Sequence, residues 1–196
     1  MRTQSSYPNS GGVEEHGKVH RKIIKIGPWG GQGGSPWDDG SFDGVSQITL
    51  VYDRCIDSIR VEYDKNGKLV MAEKHGGDGG NHTAHIKLQY PEEFITEVSG
   101  HYCPVVHGGT PVIRSLKFIT SKRTYGPYGV EEGTPFSFLM DGGLIVGFKG
   151  RNGWYLDAIE FRLSRLSSSS NLFDAIQQKI KKIWASHKRL KKASVA

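Results

Sequence analysis

Cysteine is scarce, two residues in a chain of 196, and that excludes a disulfide-stapled scaffold. Cys55 and Cys103 are expected as buried free thiols of a reducing compartment. Long apolar runs are also missing. No window approaches the ~20 apolar residues that span a bilayer, and residues 1–8 lack the apolar core of a secretory signal, so a cytoplasmic or nucleocytoplasmic location is expected. Catalytic signatures are absent too: there is no Gly-x-Ser-x-Gly elbow, phosphate loop or His-Glu-x-x-His helix, and an enzyme is not expected. His75, His82 and His85 lack a Cys or carboxylate that would complete a ligand set, and on a strand positions 82 and 85 face opposite ways. No metal and no cofactor are expected.

The body of the chain also lacks net charge. The whole chain carries +6, and residues 171–196 account for all of it, with Lys179, Lys181, Lys182, Lys188, Arg189, Lys191 and Lys192 against Asp174. The remaining residues are neutral, and nothing in them points to nucleic acid.

Glycine, by contrast, is abundant at 26 residues, which suits many tight turns. After a polar lead over 1–21, expected to be flexible, short β-rich runs recur at 45–53, 58–63, 85–90, 112–120, 144–148 and 158–163, separated by glycine or Asn-Gly turns. Asn66-Gly67 predicts a type I′ hairpin. The chain is therefore read as all-β, with one core over 22–166. Ser167–Ser170 form a linker, and Phe173, Ile176, Ile180, Ile183, Trp184 and Leu190 recur at helical spacing. Residues 171–196 are thus expected as an amphipathic basic helix, suited to an anionic membrane face or a helical protein partner.

Two loop types each occur twice. Gly30-Gly31-Gln32-Gly33-Gly34 is echoed by Gly76-Gly77-Asp78-Gly79-Gly80, and Trp154-Tyr155-Leu156-Asp157-Ala158-Ile159 by Arg54-Cys55-Ile56-Asp57-Ser58-Ile59. Such duplication predicts internal pseudo-symmetry with equivalent loops gathered at one end. Their chemistry suits a hexose, whose vicinal hydroxyls both donate and accept. A fixed carboxylate such as Asp157 accepts two hydroxyl protons, while the backbone amides of Trp154, Tyr155 and Gly34 donate back. Glycine at 153 is expected to let the loop turn tightly, and glycine at 34 to keep a Cβ out of the sugar's way.

Several stretches together resemble the jacalin-related lectins of plants: Ile26-Gly27-Pro28-Trp29-Gly30-Gly31-Gln32-Gly33-Gly34, Val98-Ser99-Gly100, Val112-Ile113-Arg114-Ser115-Leu116, Thr124-Tyr125-Gly126-Pro127-Tyr128-Gly129, Gly133-Thr134-Pro135-Phe136, Leu144 to Gly150, and Gly153 to Ile159. The resemblance implies a β-prism of three four-stranded antiparallel sheets around a pseudo-threefold axis, commonly assembled into homo-oligomers. It implies a carbohydrate site at Gly34, Gly153, Trp154, Tyr155 and Asp157. Galactose-preferring relatives are cut before the equivalent of Gly34 and place an aromatic where this chain has Thr110, so mannose- or glucose-type glycans and glycoproteins are the expected ligands. A second site would use Gly80, Arg54, Cys55 and Asp57. There Asp53 stands where the loop-opening glycine belongs, and a different turn is expected.

Overall fold

The computed structural model describes residues 22–140 and 142–165. The polar lead over 1–21, the expected end of the domain at Leu166, the serine linker and the basic segment 171–196 lie outside the described residues.

Thirteen strands and no helix form among the described residues, and they build three antiparallel sheets. The first takes β1 (Lys22–Gly30), β13 (Leu156–Arg165), β12 (Gly143–Asn152) and β2 (Ser35–Asp38) in that order. The second runs β10 (Thr124–Gly129), β9 (Pro111–Thr120), β8 (Ile95–Pro104) and β11 (Thr134–Leu139). In the third, β4 (Ile56–Lys65) pairs with β3 (Gly44–Tyr52), which pairs with β7 (His82–Lys87). On the far side of β4 the edge is split into β5 (Lys68–Met71) and β6 (His75–Gly76). The third sheet thus keeps the four expected positions, with its edge position divided in two: the Ala72 amide still reaches the Val61 carbonyl, and Glu73 and Lys74 leave the ladder before His75 rejoins it.

Each sheet turns one face inward, as the period of two requires. Ile48, Leu50, Ile59 and Val61 meet Val98, Leu116 and Phe118 and the pair Phe148 and Phe161 in one buried cluster. Burial of each large apolar side chain contributes ~1.5–3 kcal/mol, and this shared core is what a single sheet cannot supply. Aromatic contacts close the seams. Trp29 stacks on Phe136 and Phe138 at 4.7 and 5.4 Å, joining the first sheet to the second. Tyr52 meets Tyr128 at 5.3 Å between the third and second. Between the first and third, Tyr63 donates to Asp39 at 2.6 Å and accepts from the Phe148 amide, while His75 stacks on Trp37 and bonds to Asp39.

The Asn66-Gly67 hairpin forms as expected, with φ of 55° and 75° at its two central residues. One strand differs. The run expected at 85–90 is strand only to Lys87 and begins at His82, because His82 to Lys87 pair with Tyr52 to Gln47 on β3, whereas Gln89 and Tyr90 lead into a turn. Both cysteines are free thiols, Cys55 buried and Cys103 only partly so.

Candidate carbohydrate site

The loop that follows β1 and the loop that joins β12 to β13 come together at one end of the prism. Gly30 and Gly31 cross behind the second loop, where the Gly31 amide donates to the Asp157 carbonyl at 2.8 Å. Gly153 N–H donates to the Tyr155 carbonyl at 3.0 Å and closes a tight turn that carries Trp154. Asp157, at the second position of β13, is buried, and its Oδ2 has no hydrogen-bond partner among the described residues. Burial holds its carboxyl above the ordinary aspartate range, and the Gly153 amide and Arg151 guanidinium pull it back only in part. A buried, unpartnered carboxylate oxygen is an acceptor awaiting a donor.

The glycines act differently from expectation. Gly153 does not require a positive φ; a Cβ there would stand 3.4 Å from Asp157 Oδ2 and 3.5 Å from the Gly34 Cα, so its smallness keeps the pocket open. A Cβ at Gly34 would drive into the carbonyl of Asn152 rather than toward the groove, and its φ of +57° independently favours glycine. The glycine that makes room for the carboxylate is Gly33, where a Cβ would collide with Asp157 Oδ1 and stand 3.1 Å from Thr110 Oγ1. Arg151 completes the set from β12. Its Nε donates to the Gly33 carbonyl at 2.8 Å and its Nη2 to the Gly34 carbonyl at 2.7 Å, a fork that fixes both peptides. Sequence reasoning missed Gly33 and Arg151. The only signals for them were the second Gly-Gly pair of the loop and an arginine near the Gly153 turn.

The second loop pair repeats this geometry. Gly77 N–H donates to the Asp57 carbonyl at 3.0 Å, and Asp53 N–H to the Cys55 carbonyl at 3.1 Å. Asp53 thus makes the same turn as Gly153, contrary to expectation, because no positive φ is needed there. Its side chain accepts from Asn81 Nδ2 at 2.7 Å. Asp57 is buried, and a Cβ at Gly79 would stand 2.6 Å from its Oδ1, as at Gly33. Burial and then the neighbouring Asp53 raise the Asp57 carboxyl. Cys55 is buried, and burial pushes its thiol up, so only its backbone can serve a ligand. Arg54 is exposed, and Gly80 has φ +82°.

A third member, disguised in sequence, completes the pseudo-threefold set. Val130 N–H donates to the Arg114 carbonyl at 3.0 Å, as Gly31 does to Asp157 and Gly77 to Asp57. Gly129 and Gly133 occupy the positions of Gly30 and Gly34, each with positive φ. Here the carboxylate is replaced by Arg114, which is buried and turned to partners within the fold. It donates to the carbonyls of Arg54 at 3.0 Å and Pro104 at 3.3 Å and pairs with Glu132 at 2.9 Å. This corner is filled from within.

All of the predicted first-site residues, Gly34, Gly153, Trp154, Tyr155 and Asp157, line one concavity, together with Gly33 and Thr110. Of the second-site residues, Asp57 lines it as well, with Gly77, Asp78 and Gly79, whereas Gly80, Arg54 and Cys55 do not. Its volume of about 1090 Å³ reaches the upper end of the ~300–1,000 Å³ usual for small-molecule sites. A second hollow, among Gly44, Leu88, Phe94 and Ile145, holds about 10 Å³, room for no more than about one water.

A β-prism whose end loops present buried carboxylates over glycine-built hollows defines a non-catalytic carbohydrate-binding protein. The pattern of the Jacalin-like lectin domain is matched by residues 26–162, and the chain belongs to that family. It is 63% identical to Jacalin-related lectin 19 of Arabidopsis thaliana over 80% of this chain and 89% of that one. It is 44% identical to a galactose-specific lectin of Morus indica, over 72% and 92%. Among solved structures, a mannose-specific jacalin-related lectin from Morus nigra in complex with mannose superposes with a TM-score of 0.71 at 46% identity, over 76% of this chain and 99% of that one.

Proposed function

We propose that this protein binds mannose- or glucose-type glycans without a metal, at the pocket formed by Gly33, Gly34, Gly153, Trp154, Tyr155 and Asp157. The observation that carries the reading is the buried Asp157 carboxylate with its unpartnered Oδ2. Two vicinal hydroxyls donate to it, and the loop amides of Trp154, Tyr155 and Gly34 donate to ring and exocyclic oxygens. Gluco-type over galacto-type sugars follows from two features. Gly33 joins Gly34 in an unbroken loop, and the rim residue beside it is Thr110, 3.1 Å from a Cβ placed on Gly33, which offers no aromatic face to a galactose ring. The mannose complex of the Morus nigra relative supports the same choice.

The test is titration calorimetry with methyl α-mannoside, methyl α-glucoside and methyl α-galactoside. An open site of this kind is expected to hold the mannoside with Kd of about 1 mM, to leave the galactoside unbound, and to be indifferent to EDTA. Asp157→Ala removes mannoside binding at this pocket. Uptake of the galactoside in preference to the mannoside, or an unchanged Asp157→Ala variant, overturns the reading.

A further inference from the structure

The two carboxylate pockets are neighbours in contact. A Cβ at Gly77 would press on the main chain of Trp154, so the glycine loop of the second pocket rests directly on the turn that carries the first. Asp57 and Asp157 line the same concavity, as does Trp154, which is 86% exposed. Val105 and Val106 line that concavity too and are 43% and 68% exposed. Seven large apolar side chains are exposed among the described residues, and three of them are these. Apolar exposure gathered in the groove that two buried carboxylates line matches a saccharide chain, each unit of which presents a C–H face as well as hydroxyls.

Resting on the reading above, we propose that the two pockets are the ends of one surface for a single branched mannose oligosaccharide, with one terminal residue at Asp157, another at Asp57, and the connecting sugars crossing Trp154. The number of arms is two because the third corner is occupied by its own Arg114–Glu132 pair. Once the first arm binds, the second meets its pocket at an effective concentration of about 10 mM, roughly ten times the ~1 mM Kd of a single pocket, so the branched ligand gains about tenfold over a monosaccharide.

The experiment titrates the full chain with methyl α-mannoside and with a free oligomannose N-glycan, and follows the complexes by sedimentation velocity. Two monosaccharides per chain are expected, but one oligomannose per chain, bound about tenfold or more tightly, in a complex that gains only the mass of the glycan. Asp57→Asn and Asp157→Asn, which keep side-chain volume, each reduce the oligomannose affinity to that of methyl α-mannoside. Two glycans per chain, a larger cross-linked species, or tight binding that survives either substitution overturns the inference. One monosaccharide per chain, unaffected by Asp57→Asn, overturns it too while leaving the mannose reading intact. Absence of any methyl α-mannoside uptake by the wild type defeats both.

Discussion

One methyl group at position 33 separates the ligand pocket from the fold that carries it. A Cβ there meets the Asp157 carboxylate and the Thr110 hydroxyl, so Gly33→Ala is expected to weaken mannoside binding at least about tenfold, ~1.4 kcal/mol, with little change in melting temperature. Calorimetry beside thermal unfolding checks both halves. The pH response has a definite sign. Asp157 lies above the ordinary aspartate range because it is buried, and the protonated acid loses one of its two acceptor roles. Mannoside affinity is therefore expected to be full at neutral pH and to fall on acidification, starting at a higher pH than for an exposed aspartate. Arg151→Met removes a cation that favours the carboxylate, and titrations from pH 7 to 4 should find the decline moved to still higher pH. Stability has the opposite dependence: burying the ionised group costs the unliganded fold at neutral pH, and the cost is relieved as pH falls through the raised value. At this scale the sequence revealed Asp157 and its turn, because one short segment holds both. Gly33 and Arg151 stayed hidden because their meeting joins positions 118 apart in the chain, a distance that only the folded sheet order spans.

Elements were legible where local chemistry decides them and illegible where pairing does. The Asn66-Gly67 turn needs two positive φ values, and few other dipeptides accept them. The end of β7 was set instead by its partner: β3 pairs in register with His82 to Lys87, and where β3 itself bulges between Val45 and Gln47 only the Leu88 amide still reaches Ser46, although Leu88 and Tyr90 continue the apolar pattern. The split edge at β5 and β6 was equally invisible, since His75 is drawn to Asp39 and Trp37 in the first sheet. Seams between sheets carry a large share of the stability for the same reason. Trp29 lies against Phe136, Phe138 and Phe161, and Trp29→Ala is expected to cost about 3–5 kcal/mol, read as a lower urea midpoint.

For the whole molecule, the duplicated glycine loops were enough to predict pseudo-symmetry, yet only two of the three corners could be read. Gly129-Val130-Glu131-Glu132-Gly133 keeps just the terminal glycines of the pattern, and Arg114 offers no carboxylate to match. Its kinship to Asp57 and Asp157 lies in a shared main-chain hydrogen bond, which no side-chain pattern records. The corners also share one end of the prism, since both carboxylates open into one groove. A single copy therefore has one adhesive pole. Such a pole can lie flat against a glycosylated surface, and among the described residues no carboxylate pocket of this kind stands at the opposite end. Clumping of cells by this protein would be a property of its assembly: a fraction that sediments as monomer is expected to be retained on a mannose column and yet to leave red cells dispersed.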